Sequence, residues 1–451
     1  MSSTGATWQL ARFAAQARLA DLPPAVRDQG VRAFVNWAGC VLGATNHDAV
    51  VKVRDALAPY SAPPQATVLG AGLRFNMMQT ALFNSMAASV RVFEDTYLSA
   101  TVHPTSPVAA AVLAVGEHCR SSGAEVLTAL IVGDEVCCRA ANMLTRAPGK
   151  SHLGLYMTGI AGGIGAAVAA ARLMKLEERQ MVWAIGMAVL HASGVRALHG
   201  NHSTYLMAGN AARAGVIAAE LAAAGVTSAE NALEAPRGFA DVFAAPPNIA
   251  AATDGLGEKF EILDLTYKPY PCGVGAHPGI DGCLRLAREH AIDPSAIERV
   301  DIEICPAGAE LSGVRHPRDH MASRNSLHHW AAVAFLLRRA TIAEEECIHD
   351  PAVTAMRDRI HLIAVPEMAH DAGRVRVVMQ DGSVLATAVD HCIGSRDRPM
   401  TDADIDEKFL GQARLVMSEG RARAGLALCR DIGGVGNVSS LAQGLIGDNR
   451  H

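Results

Sequence analysis

The six residues Arg299-Val300-Asp301-Ile302-Glu303-Ile304 alternate charged and apolar side chains. This period of two predicts a half-buried β-strand. Further along, Arg374-Val375-Arg376-Val377-Val378 and Val384-Leu385-Ala386-Thr387 flank the pair Asp381-Gly382. Asp-Gly between two strand-like runs is typical of a β-hairpin. The chain around these strands is therefore expected to form a β-sheet.

The first 250 residues differ from this part of the chain. Their apolar side chains recur every three to four positions and alanine is abundant, which predicts closely packed helices. Gly225 is predicted to end a helix that begins near Ala208. Thr227-Ser228-Ala229-Glu230 fits a capping box that would open the next helix.

These patterns predict a mostly α protein with an α+β part. The simplest architecture is an all-helical domain formed by both chain ends, residues 1–265 and 396–451. An α+β lid domain, residues 266–395, is inserted between them and contains a helix from about 326 to 339. Thr401-Asp402-Ala403-Asp404 predicts where the next helix begins.

The composition of the 451 residues excludes some classes of function. Half of the residues are hydrophobic and only 19% are charged, which excludes disorder for most of the chain. Lys plus Arg is 40 and Asp plus Glu is 45, so the net charge is 40 − 45 = −5. A nucleic-acid-binding protein would normally be basic, so no nucleic-acid partner is expected. The low charge favours a large buried interior and a homodimer interface.

Features that report on the cellular compartment favour the cytoplasm. The ten cysteines include no CxxC pair, which is typical of reduced thiols rather than of a disulfide framework. The N-terminus lacks the basic and apolar regions of a signal peptide. The uncharged run 153–171 approaches the length of a membrane span, but its many Gly and Ala residues favour a buried helix. No membrane association is predicted.

Two polar clusters are candidates for chemistry. Glu94-Asp95-Thr96-Tyr97 precedes His103-Pro104-Thr105-Ser106-Pro107, and nearby carboxylates orient a histidine for general acid–base work. The alternative is a surface loop with helix caps. Tyr267-Lys268-Pro269-Tyr270-Pro271-Cys272 is followed by His277-Pro278-Gly279-Ile280-Asp281. Here Lys268 would bind a substrate carboxylate or act as a base, and the alternative is a rigid hinge with a solvated lysine.

Other motifs do not support a metal or nucleotide site. His316 and His320, and the pair His328-His329, have spacings that suggest metal binding, but Pro317 interrupts a regular helix at the first pair. The glycines of Gly159-Ile160-Ala161-Gly162-Gly163-Ile164-Gly165 lack the strand that precedes a dinucleotide-binding loop. Close helix packing is the better interpretation of these glycines. We expect no metal and no cofactor.

Several motifs, taken in order, resemble one enzyme family. They are Asn84-Ser85-Met86-Ala87-Ala88, Phe93-Glu94-Asp95-Thr96-Tyr97-Leu98, Val102-His103-Pro104-Thr105-Ser106-Pro107-Val108, Lys268-Pro269-Tyr270-Pro271-Cys272 and Pro399-Met400-Thr401. The chain resembles the 2-methylcitrate dehydratases and their relatives, the MmgE/PrpD family. This resemblance implies the architecture above, a homodimer and no required cofactor. It also implies 2-methylcitrate dehydration, cis-aconitate decarboxylation or iminodisuccinate epimerisation.

The chain departs from the family pattern at five places. The first Asp of the family's Asp-Phe-Asp-Asp core is Val92, and the His that follows the Thr is Tyr97. The family's His before the Gly-rich helix aligns with Tyr156. Its Lys-Pro-Leu-His is Thr204-Tyr205-Leu206-Met207, and a Tyr of the lid helix is His329.

The leading hypothesis is a cofactor-independent lyase of the dehydratase type that acts on a small hydroxy- or polycarboxylate. By resemblance, Asp95, Thr96, His103 and Lys268 lie in the substrate cleft. His103, oriented by Asp95, would move a proton at the carbon next to a carboxylate. Lys268 would bind that carboxylate and stabilise an enolate, and His329 would act as an acid for the leaving hydroxyl.

The predicted substrate-binding residues are Thr96, Tyr97, Tyr156, Thr204 and Tyr270. The imidazoles that would replace those missing from the family pattern are those of His152, His199 and His202. Three alternatives stay open: an epimerase or isomerase of the iminodisuccinate type, a decarboxylase, and a non-catalytic ligand-binding dimer.

Overall fold

The structure of the protein is a computed structural model that describes residues 4–448. Its α-helices are α1 (Ala6–Gln16), α2 (Pro24–Leu42), α3 (Asp48–Leu57), α4 (Met77–Val90), α5 (Thr105–Cys119), α6 (Gly123–Thr145), α7 (Met157–Leu173), α8 (Glu178–Val189), α9 (Ser203–Ala223), α10 (Phe239–Phe243), α11 (His277–Glu289), α12 (Pro306–Leu311), α13 (His320–Ser323), α14 (Leu327–Leu337), α15 (Pro351–Asp358), α16 (Asp402–Ala413), α17 (Glu419–Arg430) and α18 (Val438–Gly444). The strands are β1 (Ala66–Thr67), β2 (Arg74–Phe75), β3 (Asp95–Tyr97), β4 (Leu265–Tyr267), β5 (Ile297–Ile304), β6 (Ile360–Ala364), β7 (Gly373–Met379) and β8 (Val384–Val389). The predicted mostly α fold with an α+β part is confirmed.

The described residues divide into two compact units. Unit 1 takes its residues from the segments Met1–Val90, Glu94–Leu265 and Asp402–His451, and unit 2 from Arg91–Phe93 and Thr266–Thr401. A compact unit is not by itself a domain that folds independently. The predicted domain boundaries after residues 265 and 395 therefore stay predictions.

Unit 1 is built around the helix α7. Every residue of α7 except Arg172 is buried, and the helix packs against α5, α6, α8 and α9. A Cβ added at Gly165 would lie 2.7 Å from Cβ of Cys137 on α6, so only glycine permits this approach. The interpretation of the Gly-rich run as a close-packing surface is confirmed.

Unit 2 contains a four-stranded sheet in the order β6-β5-β7-β8. β5 pairs parallel with β6 and antiparallel with β7, and β7 pairs antiparallel with β8. Helices α11 and α14 pack against each other, and α11 covers β7 and β8. The core between them includes Trp330, Phe335, Ile280 and Ile302, all buried.

Most predicted elements of unit 2 are present at the expected places. β5 covers the alternating stretch, and β7 and β8 form the predicted hairpin, in which Gly382 has a φ of 82°. The helix α14 begins after Ser326, whose side chain accepts from the backbone N–H of His329. Strand β6 was not predicted. Its five residues, Ile360-His361-Leu362-Ile363-Ala364, are almost all apolar, and so short a run shows no clear period of two.

The capping-box prediction at residues 227–230 is wrong. Helix α9 ends near Gly225 as expected, but no helix follows it at this point. Pro236 lies too close to leave room for a regular helix after Glu230. The Glu230 carboxylate instead accepts from Arg179 at 3.0 Å.

None of the helices among residues 4–448 combines the length and the apolar composition that a membrane span requires. The uncharged run 153–171 forms a loop and most of α7.

Candidate functional site

The three residues of β3 present their side chains to different partners. All three are buried. Side chains on a strand point alternately to opposite faces. Thr96 therefore contacts His103, whereas the side chains of Asp95 and Tyr97 reach other parts of unit 1.

A short hairpin brings His103 beside β3. Tyr97 and Val102 exchange two backbone hydrogen bonds, of 2.8 and 3.2 Å, across a turn that ends at Thr101 with a φ of 50°. The backbone N–H of His103 donates to Thr158 Oγ1 on α7 at 3.0 Å. The position of His103 is thus determined by both β3 and α7.

The contacts of His103 indicate which ring nitrogen exchanges protons. Nδ1 lies 2.7 Å from the carbonyl oxygen of Asp95 and 3.2 Å from Thr96 Oγ1. A carbonyl oxygen only accepts, so Nδ1 carries the hydrogen, and Nε2 holds the lone pair in the neutral ring. Glu94 Oε1 lies 3.8 Å from Nε2. Since the side chains of His103 and Glu94 are only 13% and 4% exposed, this carboxylate stabilises the protonated imidazole.

Two further rings extend the cluster. The centroid of the Tyr156 ring lies 6.3 Å from that of His103, and the His199 ring lies 5.6 Å from Tyr156 in an edge-on arrangement. Burial and the Glu94 carboxylate raise the pKa of the Tyr156 phenol. Tyr156 therefore stays protonated at neutral pH and acts as a hydrogen-bond donor.

The contact of Asp95 with His103 Nδ1 is made by the main-chain carbonyl oxygen of Asp95, at 2.7 Å. Asp95 Oδ2 instead lies 2.9 Å from Thr105 Oγ1, which is 2.8 Å from Asp134 Oδ2. That Asp95 orients His103 for catalysis stays a prediction, and the described contact is made by its backbone.

Tyr97, a predicted substrate-binding residue, is fully buried among polar side chains of unit 1. Its hydroxyl donates to Glu261 and accepts from Asn142 and Arg146, each at 3.0 Å. Arg146 also pairs with Glu261 at 2.7 Å. Burial and the hydrogen bond to Glu261 raise the pKa of Tyr97. These contacts describe a structural role, and its predicted contact with substrate stays a prediction.

Thr204, also predicted to bind substrate, makes a local contact at the start of α9. Its hydroxyl donates to the carbonyl oxygen of Leu198 at 2.6 Å. This bond fixes the loop that carries His199. Thr204 therefore supports the loop that carries His199, and its predicted contact with substrate stays a prediction.

Lys268 and Tyr270 belong to unit 2 and are both buried. The Tyr270 hydroxyl donates to Asp281 Oδ1 at 2.7 Å, and Asp281 Oδ2 accepts from Arg398 at 3.0 Å and from the backbone of Ile393 at 2.9 Å. Burial and the Asp281 carboxylate raise the pKa of Tyr270 well above its usual value. The Tyr270 hydroxyl thus ties the Lys268 loop to α11.

His329, the predicted acid, is fully buried on α14 of unit 2. Nε2 lies 3.0 Å from the carbonyl oxygen of Glu344 and therefore carries the hydrogen. Burial lowers the pKa of His329 to about 4. A neutral imidazole is a very weak acid, so this environment does not favour the acid role, which stays a prediction.

Within residues 4–448, one group of side chains has the geometry of a metal site. Asp371, His391 and Asp397 bring one ligand atom each within 4.8 Å of one another. His391 Nδ1 already pairs with Asp371 at 2.7 Å, and Asp397 is exposed. The expectation of no metal stays a prediction.

The sequence placed Glu94 in a candidate cluster without assigning it a role of its own, and it did not single out Thr158 or Asp134. Thr158 is an isolated hydroxyl in a Gly/Ala run, and its role depends on α7 lying beside His103. Asp134 had a usable signal: Asp134-Glu135 is the acidic pair of the apolar helix α6. The Glu135 carboxylate pairs with Arg139 one helical turn later at 2.6 Å. The positive charge of Arg139 therefore offsets the charge of Glu135 rather than that of Asp134.

Comparison with known proteins now adds to this geometry. The family profile of the MmgE/PrpD N-terminal domain matches residues 8–252, and that of the MmgE/PrpD C-terminal domain matches residues 270–432. The chain belongs to the MmgE/PrpD family. The resemblance inferred from the motifs is confirmed, and both MmgE/PrpD domains are present in the expected order.

Curated proteins similar to this MmgE/PrpD chain are named as cis-aconitate decarboxylases. The human protein is 25% identical over 379 residues, which cover 80% of this chain and 77% of its own length. The Aspergillus terreus (strain NIH 2624 / FGSC A1156) protein is 23% identical over 452 residues, with 94% and 92% covered. The mouse protein is 24% identical over 394 residues, with 82% and 77% covered. These similarities support the lyase class; they do not support the hydro-lyase reaction in particular.

Proposed function

We propose that the protein is a cofactor-independent lyase that decarboxylates a small unsaturated polycarboxylate of the cis-aconitate type. The observation that carries the proposal is the state of His103. Its Nδ1–H is bound by the Asp95 carbonyl, so that Nε2 is the nitrogen that exchanges protons. The names of the curated relatives favour decarboxylation over dehydration.

The chemistry requires a proton donor at this position. When the carbon–carbon bond to a carboxylate breaks, CO₂ leaves and its bonding electron pair remains on the substrate. The reaction is complete when an acid delivers one proton to carbon. Protonated His103 would supply it from Nε2, and the Glu94 carboxylate, 3.8 Å away, stabilises that protonated form beforehand.

Other groups would hold the substrate for this transfer. Tyr156 stays protonated and would donate a hydrogen bond to a substrate carboxylate, as would Thr96. Lys268 is our predicted carboxylate ligand on the basis of its Lys-Pro-Tyr-Pro-Cys motif, and it would stabilise negative charge that develops in the transition state.

The proposal is tested by turnover of cis-aconitate in deuterated water. Decarboxylation releases CO₂ and places one deuterium on a carbon of the product. Dehydration of 2-methylcitrate would instead give an alkene that absorbs in the ultraviolet. Epimerisation of a small dicarboxylate would return inverted substrate that carries deuterium. Binding of these acids without turnover would favour a ligand-binding dimer and contradict the proposal.

The role of His103 is tested by His103→Asn. The asparagine amide can still donate to the Asp95 carbonyl, but it lacks the proton-exchanging Nε2. We expect kcat to fall by roughly 10²–10⁴-fold, the usual contribution of one acid–base group, and KM to change much less. His118→Asn, at an exposed histidine of α5, is the control. A folded His103→Asn enzyme with kcat within about threefold of wild type, well below that range, would contradict the assignment.

A further inference from the structure

Two carboxyl groups in unit 1 meet at one hydroxyl. Thr105 Oγ1 lies 2.9 Å from Asp95 Oδ2 and 2.8 Å from Asp134 Oδ2. Asp95 is 1% exposed, and Thr105 and Asp134 are fully buried. Both distances are those of good O–H···O hydrogen bonds.

The number of protons in this arrangement is determined by its chemistry. A threonine hydroxyl has one hydrogen, which it can donate fully to only one of two carboxylates. If both acids were ionised, the second contact would bring a carboxylate against a hydroxyl oxygen without a hydrogen between them. A proton on one carboxyl group satisfies both contacts, because that group donates to Thr105, which donates to the other.

The surroundings indicate which carboxyl group holds the proton. Asp134 is fully buried, its Oδ1 has no hydrogen-bond partner among residues 4–448, and the acid Glu135 is its direct neighbour in α6, and together these make an ionised Asp134 costly. Burial, followed by the charge of Asp95, raises the pKa of Asp134 well above its usual value. The nearby thiols of Cys137 and Cys138 are fully buried and have raised pKa values themselves. Both thiols therefore stay neutral and add no charge beside Asp134.

This proton has a consequence at His103. The same residue whose carboxylate is held by Thr105 presents its main-chain carbonyl to His103 Nδ1 at 2.7 Å. Thr105 follows His103 by two residues at the start of α5. Thr105 is therefore linked to both partners of the Asp95–His103 contact. Its hydroxyl is hydrogen-bonded to the Asp95 side chain, and its backbone is connected to His103 through one residue.

We propose that Asp134 is a protonated positioning residue, which donates through Thr105 to an ionised Asp95 and so holds the Asp95 carbonyl on His103 Nδ1. Asp134 does not touch the substrate. The inference rests on the proposed function of His103. It adds that the tautomer of His103 depends on a neutral acid in α6 and on the negative charge of Asp95. The titratable groups near His103 in unit 1 include Glu94, whose Oε1 lies 3.8 Å from Nε2, and Tyr156, whose ring centroid lies 6.3 Å from that of His103.

The first test needs no substrate. Infrared spectra of the full-length wild-type protein at neutral pH should contain a carbonyl band of a buried protonated carboxylic acid. The band should disappear in Asp134→Asn and persist in Asp95→Asn. Absence of the band from wild type, or its disappearance in Asp95→Asn but not in Asp134→Asn, would overturn the proposal. Because the readout is independent of turnover, a failure of the proposed function does not alter it.

The second test compares kinetics in matched variants. Asp134→Leu removes the donor to Thr105 and should lower kcat about tenfold, and Asp134→Asn, whose amide can donate to Thr105, should restore most of that loss. Thr105→Val breaks the chain and should lower kcat by a similar factor, with KM changed less than threefold. Asp95→Asn removes a negative charge near His103, which must be protonated to act, and should move the alkaline limb of the kcat/KM profile to lower pH. Circular dichroism confirms that each variant is folded. If Asp134→Asn is as impaired as Asp134→Leu, or the alkaline limb does not move in Asp95→Asn, the proposed positions of the proton and charge are wrong.

Discussion

Replacing Tyr97 by phenylalanine separates a structural role from substrate binding. The change removes one oxygen from a fully buried site and leaves the ring in place. That oxygen donates to the Glu261 carboxylate and accepts from Asn142 and Arg146. Arg146 and Glu261 keep their own ion pair at 2.7 Å, so the main loss falls on Asn142 and on one acceptor position of Glu261.

The expected cost follows from these contacts. A hydrogen bond to a charged group contributes about 1.5–3 kcal/mol, and an unsatisfied buried amide costs about 1–3 kcal/mol. Because part of the network survives, we expect Tyr97→Phe to lower the free energy of unfolding by about 2–3 kcal/mol. Neither KM nor kcat should change more than threefold.

Urea unfolding followed by circular dichroism measures the stability, and steady-state turnover measures the kinetics. The matched control is Tyr60→Phe, at a tyrosine that is 78% exposed, where the change in stability should stay within about 0.5 kcal/mol. A Tyr97→Phe protein as stable as wild type but with a KM raised tenfold or more would refute the reasoning. It would show that Tyr97 binds substrate.

Two further outcomes are expected. Lys268→Ala should raise KM at least tenfold in steady-state assays, because a group that binds the substrate carboxylate stabilises ground and transition states alike. The control Lys175→Ala, at an 81% exposed lysine, should leave KM unchanged. If Lys268→Ala and wild type had equal KM values, Lys268 would not belong to the site. His329 should make the protein sensitive to acid, because the pKa of its buried ring is lowered to about 4. Between pH 6.5 and 4 the unfolded chain therefore binds a proton that the folded protein does not. The free energy of unfolding should thus decrease as the pH is lowered through this range. His329→Gln, which keeps a donor for the Glu344 carbonyl, should remove up to ~3 kcal/mol of that loss, measured as the pH dependence of urea midpoints; parallel midpoint curves for the two proteins would contradict it.

The sequence by itself determined the type of most secondary structure. The alternating stretch of β5 and the hairpin of β7 and β8 have a period of two that arises within each strand, and the Asp381-Gly382 turn is a local signal as well. The helical texture of unit 1 follows from alanine content and from a period near 3.6. The family motifs identified the chain because motifs, too, are contiguous. The capping box after Gly225 failed because Pro236, outside the four-residue pattern, limits the helix.

Within the candidate site, the sequence drew attention to the cluster at residues 94–103. It could not assign contacts to individual atoms. The contact of Thr96 with His103 spans seven positions and crosses a turn, so it was within reach of a local argument. Which face of β3 receives each side chain depends on the packing around the strand, which directs the Asp95 carboxylate to Thr105 and the Tyr97 hydroxyl to Glu261.

Only the tertiary structure brought together groups that are distant in the chain. Tyr97 meets Glu261 across 164 residues, His103 meets Thr158 across 55, and Thr105 meets Asp134 across 29. Burial is likewise a property of the packed unit: it raises the pKa of Asp134 and lowers that of His329. A local pattern can supply an acid, a hydroxyl and an imidazole. Whether these groups are charged depends on the neighbours and on the exclusion of water that folding brings about, because the free energy of a charge depends on its whole surroundings.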